Sequence, residues 1–300
     1  MKEYDLIIVG TGPAGLSAGV YAGRYMLNTL ILGNILGGTI AEAHKVCNFP
    51  SYKEITGFEL AAKLVEHAED TGAEVINESV KSIKKSESIF EVKTDSTIYS
   101  AKKIILANGR KKRLLNVKGE KELLGKGISY CATCDGVFFK DKTVSVVGGS
   151  NSALTAALLL SEYAKKVYII YKQNSFFRAE PVWVKQADKN NKIEYLFNKE
   201  IKEVVGKNSV EKIILNDDSE LIVDGVFIEI GSVPDDMLTN QLKINAENNY
   251  LVVDKNQKTN IKGIFAAGDL TNNPLKQAIT AASEGAIAAT SAYEELKKGE

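Results

Sequence analysis

Short runs rich in Ile, Leu and Val recur along the chain, and each stops at glycine or small polar residues. DLIIV (residues 5–9) ends in Gly10, TLIL (29–32) in Gly33-Asn34, and TVSVV (143–147) in Gly148-Gly149. Such short runs, with few polar alternates, match strands covered on both faces, the usual state of a parallel sheet. Between them lie segments that read as helices. Pro13 to Tyr25, Ala153 to Tyr163 and Leu275 to Lys297 are rich in small residues. In residues 57–72, Phe58, Leu60, Ala61, Leu64, Val65 and Ala68 give an apolar face. Strand and helix alternate, which predicts an α/β fold.

The order strand, glycine turn, helix, strand occurs twice. The first copy carries GTGPAG (10–15) and the second GGSNSA (148–153). The next strand, Thr29 to Leu32 or Lys166 to Tyr171, is followed by a β-rich stretch, Val80 to Tyr99 or Ile193 to Val223. A terminal strand comes after it, KKIILANG (102–109) or DGVFIEIGSVP (224–234). A last strand, GIFAAGD (263–269), precedes the long C-terminal helix, and polar stretches at 110–119 and 239–249 mark two crossings. The expected architecture is two Rossmann-like three-layer dinucleotide-binding domains, the second inserted into the first. Residues 1–113 and 246–300 form the discontinuous first domain and 114–245 the second, with the two crossings as a swivel.

Three hundred residues suit two domains, and 44% apolar with 25% charged residues is ordinary for a globular protein. Lys plus Arg and Asp plus Glu balance at 38 each, so no net field favours nucleic acid or an anionic membrane. RKKR at 110–113 reads as a solvated linker, because no aromatic or second basic cluster accompanies it. No apolar run is long enough to span a bilayer, and MKEYDLIIVG enters a strand without a signal-peptide layout, so a cytoplasmic location is expected. Three cysteines exclude a disulfide scaffold. The two histidines, His44 and His67, read as surface or helix-face residues, and no metal site is expected.

Gly10 permits a tight turn, Gly12 lets the backbone approach a pyrophosphate, and Gly15 lets helix and strand close up. Pro13 and Ala14 open the helix, whose N–H groups face the phosphates. Gly37-Gly38-Thr39 is a further glycine turn with room for a bulky ligand. The acidic residue that usually holds a ribose hydroxyl is missing after Leu32. Cys131 and Cys134, in CATCD, lie between the two fingerprints. A zinc site would need two more ligands, and a structural disulfide is disfavoured in a cytosolic protein, so a redox dithiol is the reading left. Cys47 is isolated and reads as a small buried hydrophobe, chemically inert. Asp135 reads either as the proton donor and acceptor of thiol exchange or as a helix N-cap.

GTGPAG, CNFP (47–50), CATCD, GGSNSA, FRAE (177–180), AAGD (266–269) and KQA (276–278), in this order, resemble the low-molecular-weight thioredoxin reductases over nearly the whole chain. The resemblance implies a homodimeric flavoprotein, with FAD in the discontinuous domain and NADPH in the inserted one. It places Gly10, Gly12, Pro13, Ala14 and Gly15 on FAD, with Gly37, Gly38, Thr39 and Gly109. Asn48 would approach the flavin, Gly268 and Asp269 its ribityl chain, and Lys276, Gln277 and Ala278 its pyrimidine edge. Cys134 would lie next to the flavin and Cys131 would meet thioredoxin or a thioredoxin-like protein. Gly148, Ser150, Asn151, Ser152, Lys172 and Arg178 would hold the nicotinamide nucleotide.

That second site departs from the family pattern. Ser150 stands where GxGxxA has its middle glycine, and YKQNSFFR (171–178) replaces a basic HRRxxFR cluster. Gln173 cannot replace an arginine that grips a phosphate through two hydrogen bonds. Three electron donors stay open: NADPH held weakly, NADH, or reduced ferredoxin or a deazaflavin. The rival classes are another flavin-dependent reductase and an FAD-containing, redox-responsive binding protein without turnover.

Overall fold

The computed structural model describes residues 2–87 and 89–299. Met1, Ser88 and Glu300, which fall in the first expected domain, lie outside the described residues. The chain divides into two compact units, Met1–Lys111 with Val233–Glu300, and Lys112–Ser232.

In the first unit Lys2–Val9 pairs with Thr29–Leu32 on one side and Ile98–Leu106 on the other. Glu74–Ile76 extends one edge and Ile264–Ala266 pairs with Ile98–Leu106, all in parallel. Alternate residues face opposite sides. Leu6, Ile8, Ile31, Ile105 and Phe265 share a cluster with the helices Pro13–Arg24 and Ala278–Lys298. Ile7, Val9, Leu30, Leu32, Ile104 and Leu106 share another with Ile83, Phe90 and Val92 of two antiparallel strands. Both faces are covered, which is why these runs carry no polar alternate.

The helix Gly57–Asp70 begins with a reciprocal cap. Glu59 N–H donates to Thr56 Oγ1 and Thr56 N–H to the Glu59 carboxylate, both at 3.2 Å. Leu60, Ala61 and Ala68 are buried, whereas Phe58, expected on the same face, is exposed. Positions two apart on a helix point in nearly opposite directions, so Phe58 and Leu60 cannot both face inward.

The second unit repeats the plan. Its parallel sheet runs Ile193–Phe197, Lys166–Tyr171, Thr143–Val147, Gly225–Ile228, Ile128–Ser129. Val144, Val146, Val167, Ile169 and Phe227 pack on the helix Asn151–Tyr163. Val147, Ile170, Val226 and Ile228 pack with Ile201, Val204, Ile213 and Leu215 of a three-stranded antiparallel sheet. Ile193–Phe197, expected in the β-rich insertion, belongs instead to the parallel sheet. Both units are thus parallel-sheet α/β folds with three layers.

The chain leaves the second unit at Ser232, earlier than the expected boundary at 245. Residues Met237–Leu242 form a helix, and its Leu238 joins Ile244, Tyr4 and Phe90 in the first unit's core. The mostly polar residues 239–243 between these two apolar anchors, Leu242 excepted, gave the segment the look of a linker. The crossing segments Arg110–Lys112 and Ser232–Pro234 pair as a two-stranded sheet. Lys111 pairs with Asp236 at 2.9 Å and the Arg110 guanidinium lies 5.8 Å from the centre of the Tyr250 ring, so this basic run is engaged within the fold. Among the described residues no helix is long and apolar enough to cross a membrane.

Leu238→Ala and Ile244→Ala are each expected to cost about 2–4 kcal/mol, as core truncations do, and the exposed neighbour Met237→Ala under ~1 kcal/mol. Urea unfolding of the three variants checks this.

Candidate active site

Gly10 takes φ +120°, and a Cβ there would lie 2.1 Å from Ala107 O; a Cβ at Gly15 would lie 1.8 Å from Gly10 O. Packing alone accounts for these two glycines. Gly12 is different, because the nearest atom to a Cβ there is Gly38 Cα at 3.9 Å. Gly38 takes φ +64° and would bring its own Cβ within 2.8 Å of Gly12 Cα. The two glycine turns, with Thr39 in the short helix Gly38–Glu42, therefore meet backbone to backbone. They do so before the N-terminus of Pro13–Arg24, which has neither a side-chain cap nor an acid in its first turn. Its first N–H groups face outward as anion donors.

Gly268 packs against the same helix, where its Cβ would be 2.9 Å from that of Ala14. The buried Glu284, on the helix Ala278–Lys298, fixes this loop. Its carboxylate accepts from Gly268 N–H and Thr271 Oγ1, both at 2.8 Å, and from Asn273 Nδ2. Burial pushes the neighbouring Asp269 carboxyl up from its ordinary range, against the pull of Arg110 and Lys276. Among the described residues none donates a hydrogen bond to Asp269. Burial lowers the Lys276 ammonium, which lies 4.5 Å from the centre of the Tyr250 ring and donates to Thr271 O. Asn48 Nδ2 donates to Gln277 Oε1 at 2.9 Å, and Gln277 caps the helix that Ala278 opens. Gly109 takes φ +65° with open space where its Cβ would be. Beside it, Asn108 Oδ1 is buried without a partner while Nδ2 donates to Asp235 O at 3.0 Å. An uncapped helix end, bare glycine backbone, an orphan amide oxygen and a carboxylate without a donor fit a large ligand with phosphates, hydroxyls and ring N–H groups, as FAD is.

Cys131 and Cys134 are joined in a disulfide, Cα–Cα 5.3 Å, at the start of the helical turn Ala132–Asp135. Cys134 N–H donates to Cys131 Sγ at 3.1 Å and Asp135 N–H to Cys131 O at 3.1 Å. Ala132 and Gly136 are buried, and a Cβ at Gly136 would lie 3.2 Å from Leu160, so small residues seat this turn on the helix Asn151–Tyr163. Asp135 caps nothing, since Cys131 occupies the N-cap position and the Asp135 side chain makes no cap bond to the next turn. Its carboxylate accepts instead from Ser129 Oγ at 2.6 Å. Glu120, also buried, accepts from Leu115 N–H at 2.7 Å, from Asn116 N–H at 2.6 Å and from the Tyr130 hydroxyl. Sequence reasoning missed Ser129, Glu120 and Glu284; for Ser129 and Glu284 the one available signal was a polar residue inside an otherwise apolar or small-residue element, and Glu120, in the charged run EKEL, gave none.

The second fingerprint is built differently. Gly148 takes φ +141°, and a Cβ there would strike Glu229 O at 2.2 Å. A Cβ at Gly149 would fall 2.4 Å from the Tyr171 ring, so the ring covers the turn. Tyr171 stacks with Phe176 and Phe177, at centroid distances of 5.8 and 6.4 Å. Asn151 Oδ1 accepts from Glu180 N–H at 2.7 Å, Ser150 makes no cap bond, and Ser152, Lys172 and Arg178 are exposed. The Arg178 guanidinium lies over Phe177, 5.3 Å from the ring centre. Cys47, expected buried, is exposed; its apolar neighbour Val46 takes the buried position in the bridge to Ile55.

Residues 4–285, which hold both glycine turns and the disulfide, match the model of pyridine nucleotide-disulphide oxidoreductases. The chain belongs to that family. Membership implies FAD and a nicotinamide nucleotide as cofactors. This oxidoreductase is 39% identical to the thioredoxin reductase of Bacillus subtilis, over 97% of this chain and 94% of that one. The solved thioredoxin reductase of Lactococcus lactis superposes with a TM-score of 0.94 at 32% identity, over 98% and 99% of the two chains. A ferredoxin-flavin thioredoxin reductase from Clostridium acetobutylicum matches with a TM-score of 0.56 at 32% identity, over 99% of each chain.

An acid whose pKa is raised by folding costs stability once the pH exceeds its unfolded value, and the cost grows until the folded value is passed. Asp269→Asn is therefore expected to raise the Tm of the FAD-free protein at pH 7–8, with the gain vanishing near pH 4, and to weaken FAD retention. Melts across pH, with and without added FAD, check both halves.

Proposed function

We propose that this oxidoreductase is a flavin-dependent disulfide reductase that passes electrons through FAD and the Cys131–Cys134 pair to thioredoxin or a thioredoxin-like protein. The observation that carries the reading is the disulfide itself, set on an accessible turn with an acid beside it that caps no helix. Bound FAD would supply two-electron redox chemistry for that disulfide. Gly12, Gly38, Asn108, Gly109 and Asp269 would hold it in the first unit, with Asn48, Lys276 and Gln277 at the far end of the site.

Within the pair the two sulfurs are not equivalent. The N–H of Cys134 points at Cys131 Sγ, which favours a thiolate on Cys131 after reduction. Cys131 is thus the nucleophile toward the partner's disulfide and Cys134 the thiol that closes the ring again, in keeping with the roles implied by the resemblance. Asp135, free of any capping duty, takes and returns the proton. Val137 and Phe138, both exposed, give the adjoining turn an apolar surface for a partner protein.

The donor reading rests on Tyr171. Its ring over Gly149 takes up space at the turn where a pyrophosphate would come, and Lys172 and Arg178 stay apart from it in solvent. The covering ring counts against either nicotinamide nucleotide, since both carry the pyrophosphate, and favours reduced ferredoxin or a deazaflavin; the exposed Lys172 and Arg178 count further against NADPH, and NADH is the weaker alternative.

Cys134→Ser is expected to keep its flavin absorbance and to lose at least ~10²-fold of thioredoxin reduction, as removal of a covalent participant does. Retained turnover in that variant would sink the dithiol. Anaerobic reduction of the bound flavin, followed by absorbance with NADPH, NADH and reduced ferredoxin in parallel, reads the donor. NADPH is expected to act only at a Kd above about 1 μM, weaker than roughly −8 kcal/mol, and Tyr171→Ala to tighten it.

A further inference from the structure

We infer that Ser129 is a positioning residue of the dithiol: its one hydroxyl ties the Asp135 carboxylate to the Cys131 backbone and aims the acid at the exchanging sulfurs. The inference rests on the disulfide-reductase reading above. Ser129 is 5% exposed and lies in the short strand Ile128–Ser129, anchored in parallel to Phe227. Its Oγ lies 2.6 Å from Asp135 Oδ2 and accepts from Cys131 N–H at 3.0 Å. A third contact, to Cys131 O at 3.3 Å, competes for the same single proton, and the shorter contact to the charged acceptor wins it. Asp135 N–H returns to Cys131 O at 3.1 Å and closes a ring through Ser129, Cys131 and Asp135. Side chain and backbone of Asp135 are both held, and Oδ1 is left for a proton.

Thiol exchange needs such a group. The Cys131 thiolate bonds to one sulfur of the partner's disulfide, the partner's S–S bond breaks, and the leaving sulfur must be protonated. The Cys134 thiol supplies that proton by way of Asp135, and the resulting Cys134 thiolate attacks Cys131 in the mixed disulfide. The Cys131–Cys134 bond forms, the partner's second sulfur leaves as a thiolate, and two electrons have passed to the partner. One proton moves, and its carrier is the carboxylate that Ser129 holds. Among the described residues, the ionisable groups placed around this ring are the two cysteines, Tyr130 with Glu120, and Lys112, whose Nζ donates to Tyr130 O at 3.1 Å. Among the described residues, neither the Tyr130 hydroxyl nor the Glu120 carboxylate bonds to Ser129 or to the Asp135 carboxylate.

The test compares Ser129→Thr with Ser129→Val, isosteric side chains that differ in the hydroxyl, in the FAD-loaded protein, with flavin absorbance as the check on folding. Two readouts are taken across pH: thioredoxin reduction, and iodoacetamide labelling of Cys131 in the reduced protein, which needs no donor. Valine is expected to slow thioredoxin reduction roughly tenfold across the pH range while labelling of Cys131 stays within about twofold, since the proton carrier and not the nucleophile loses its support. Threonine is expected to stay within about twofold of the parent. In an Asp135→Asn background the valine effect should disappear. Valine behaving as threonine does, or an unchanged valine effect in that background, overturns the inference. Thioredoxin reduction surviving Cys134→Ser would instead overturn the reductase reading beneath it.

Discussion

Backbone touches backbone where the first strand of the first unit turns into its helix, and there is no room there for a side-chain carbon. Gly10 rests on Ala107, Gly15 on Gly10, and Gly285 of the C-terminal helix on Ala14, where a Cβ would come within 1.9 Å of the carbonyl oxygen. These contacts set the height of the helix over the sheet and draw the last helix of the chain against it. Sheet, turn and two helices thus become one rigid frame. Everything assigned to the flavin hangs on that frame: the bare Gly12–Gly38 approach on one side, and the loop at Gly268–Asp269, pinned by Glu284, on the other.

The inserted unit has the same turn with a different fate. Gly148 is demanded by the neighbouring carbonyl of Glu229, so the strand–turn–helix geometry is intact. Beyond it, the space that the first unit keeps clear is covered by an aromatic ring. A sequence motif records the steric needs of the turn; whether a ligand can reach it depends on side chains some twenty residues downstream. The dithiol turn has been shaped with more care. Small residues seat it, and two backbone N–H groups and one hydroxyl converge on Cys131 and Asp135.

Most of the architecture was legible because it depends on long-range exclusion of water. Runs such as DLIIV and TVSVV have both faces covered, and that constraint writes itself into consecutive residues. The glycines were legible for the converse reason, as places where any side chain collides. What escaped was set by contacts between residues far apart in sequence. Leu238 and Ile244 hid in a stretch whose other residues are mostly polar, so the few side chains that reach the core left no periodic pattern. Phe58 was misplaced because an apolar residue at the start of a helix does not reveal which way it points. Asp135 looked like a cap by position, yet a sulfur had taken that place. Ser129 and Glu284 could be seen as polar residues in apolar surroundings, but what each one holds became visible only when the strand and the helix were set beside their partners.

The division of the chain orders its assembly in time. The inserted unit is a continuous stretch, Lys112–Ser232, and contains its own sheet and both of its core clusters. The unit that surrounds it is incomplete until Ile264–Ala266 can pair with Ile98–Leu106 and Ala278–Lys298 can cover Leu6, Ile8 and Phe265. A ribosome making this chain from its N-terminus releases those pieces last. The unit that holds the disulfide can close while the other still lacks a strand and one of the helices on its sheet, so the growing chain carries an open apolar surface until Ala278–Lys298 emerges.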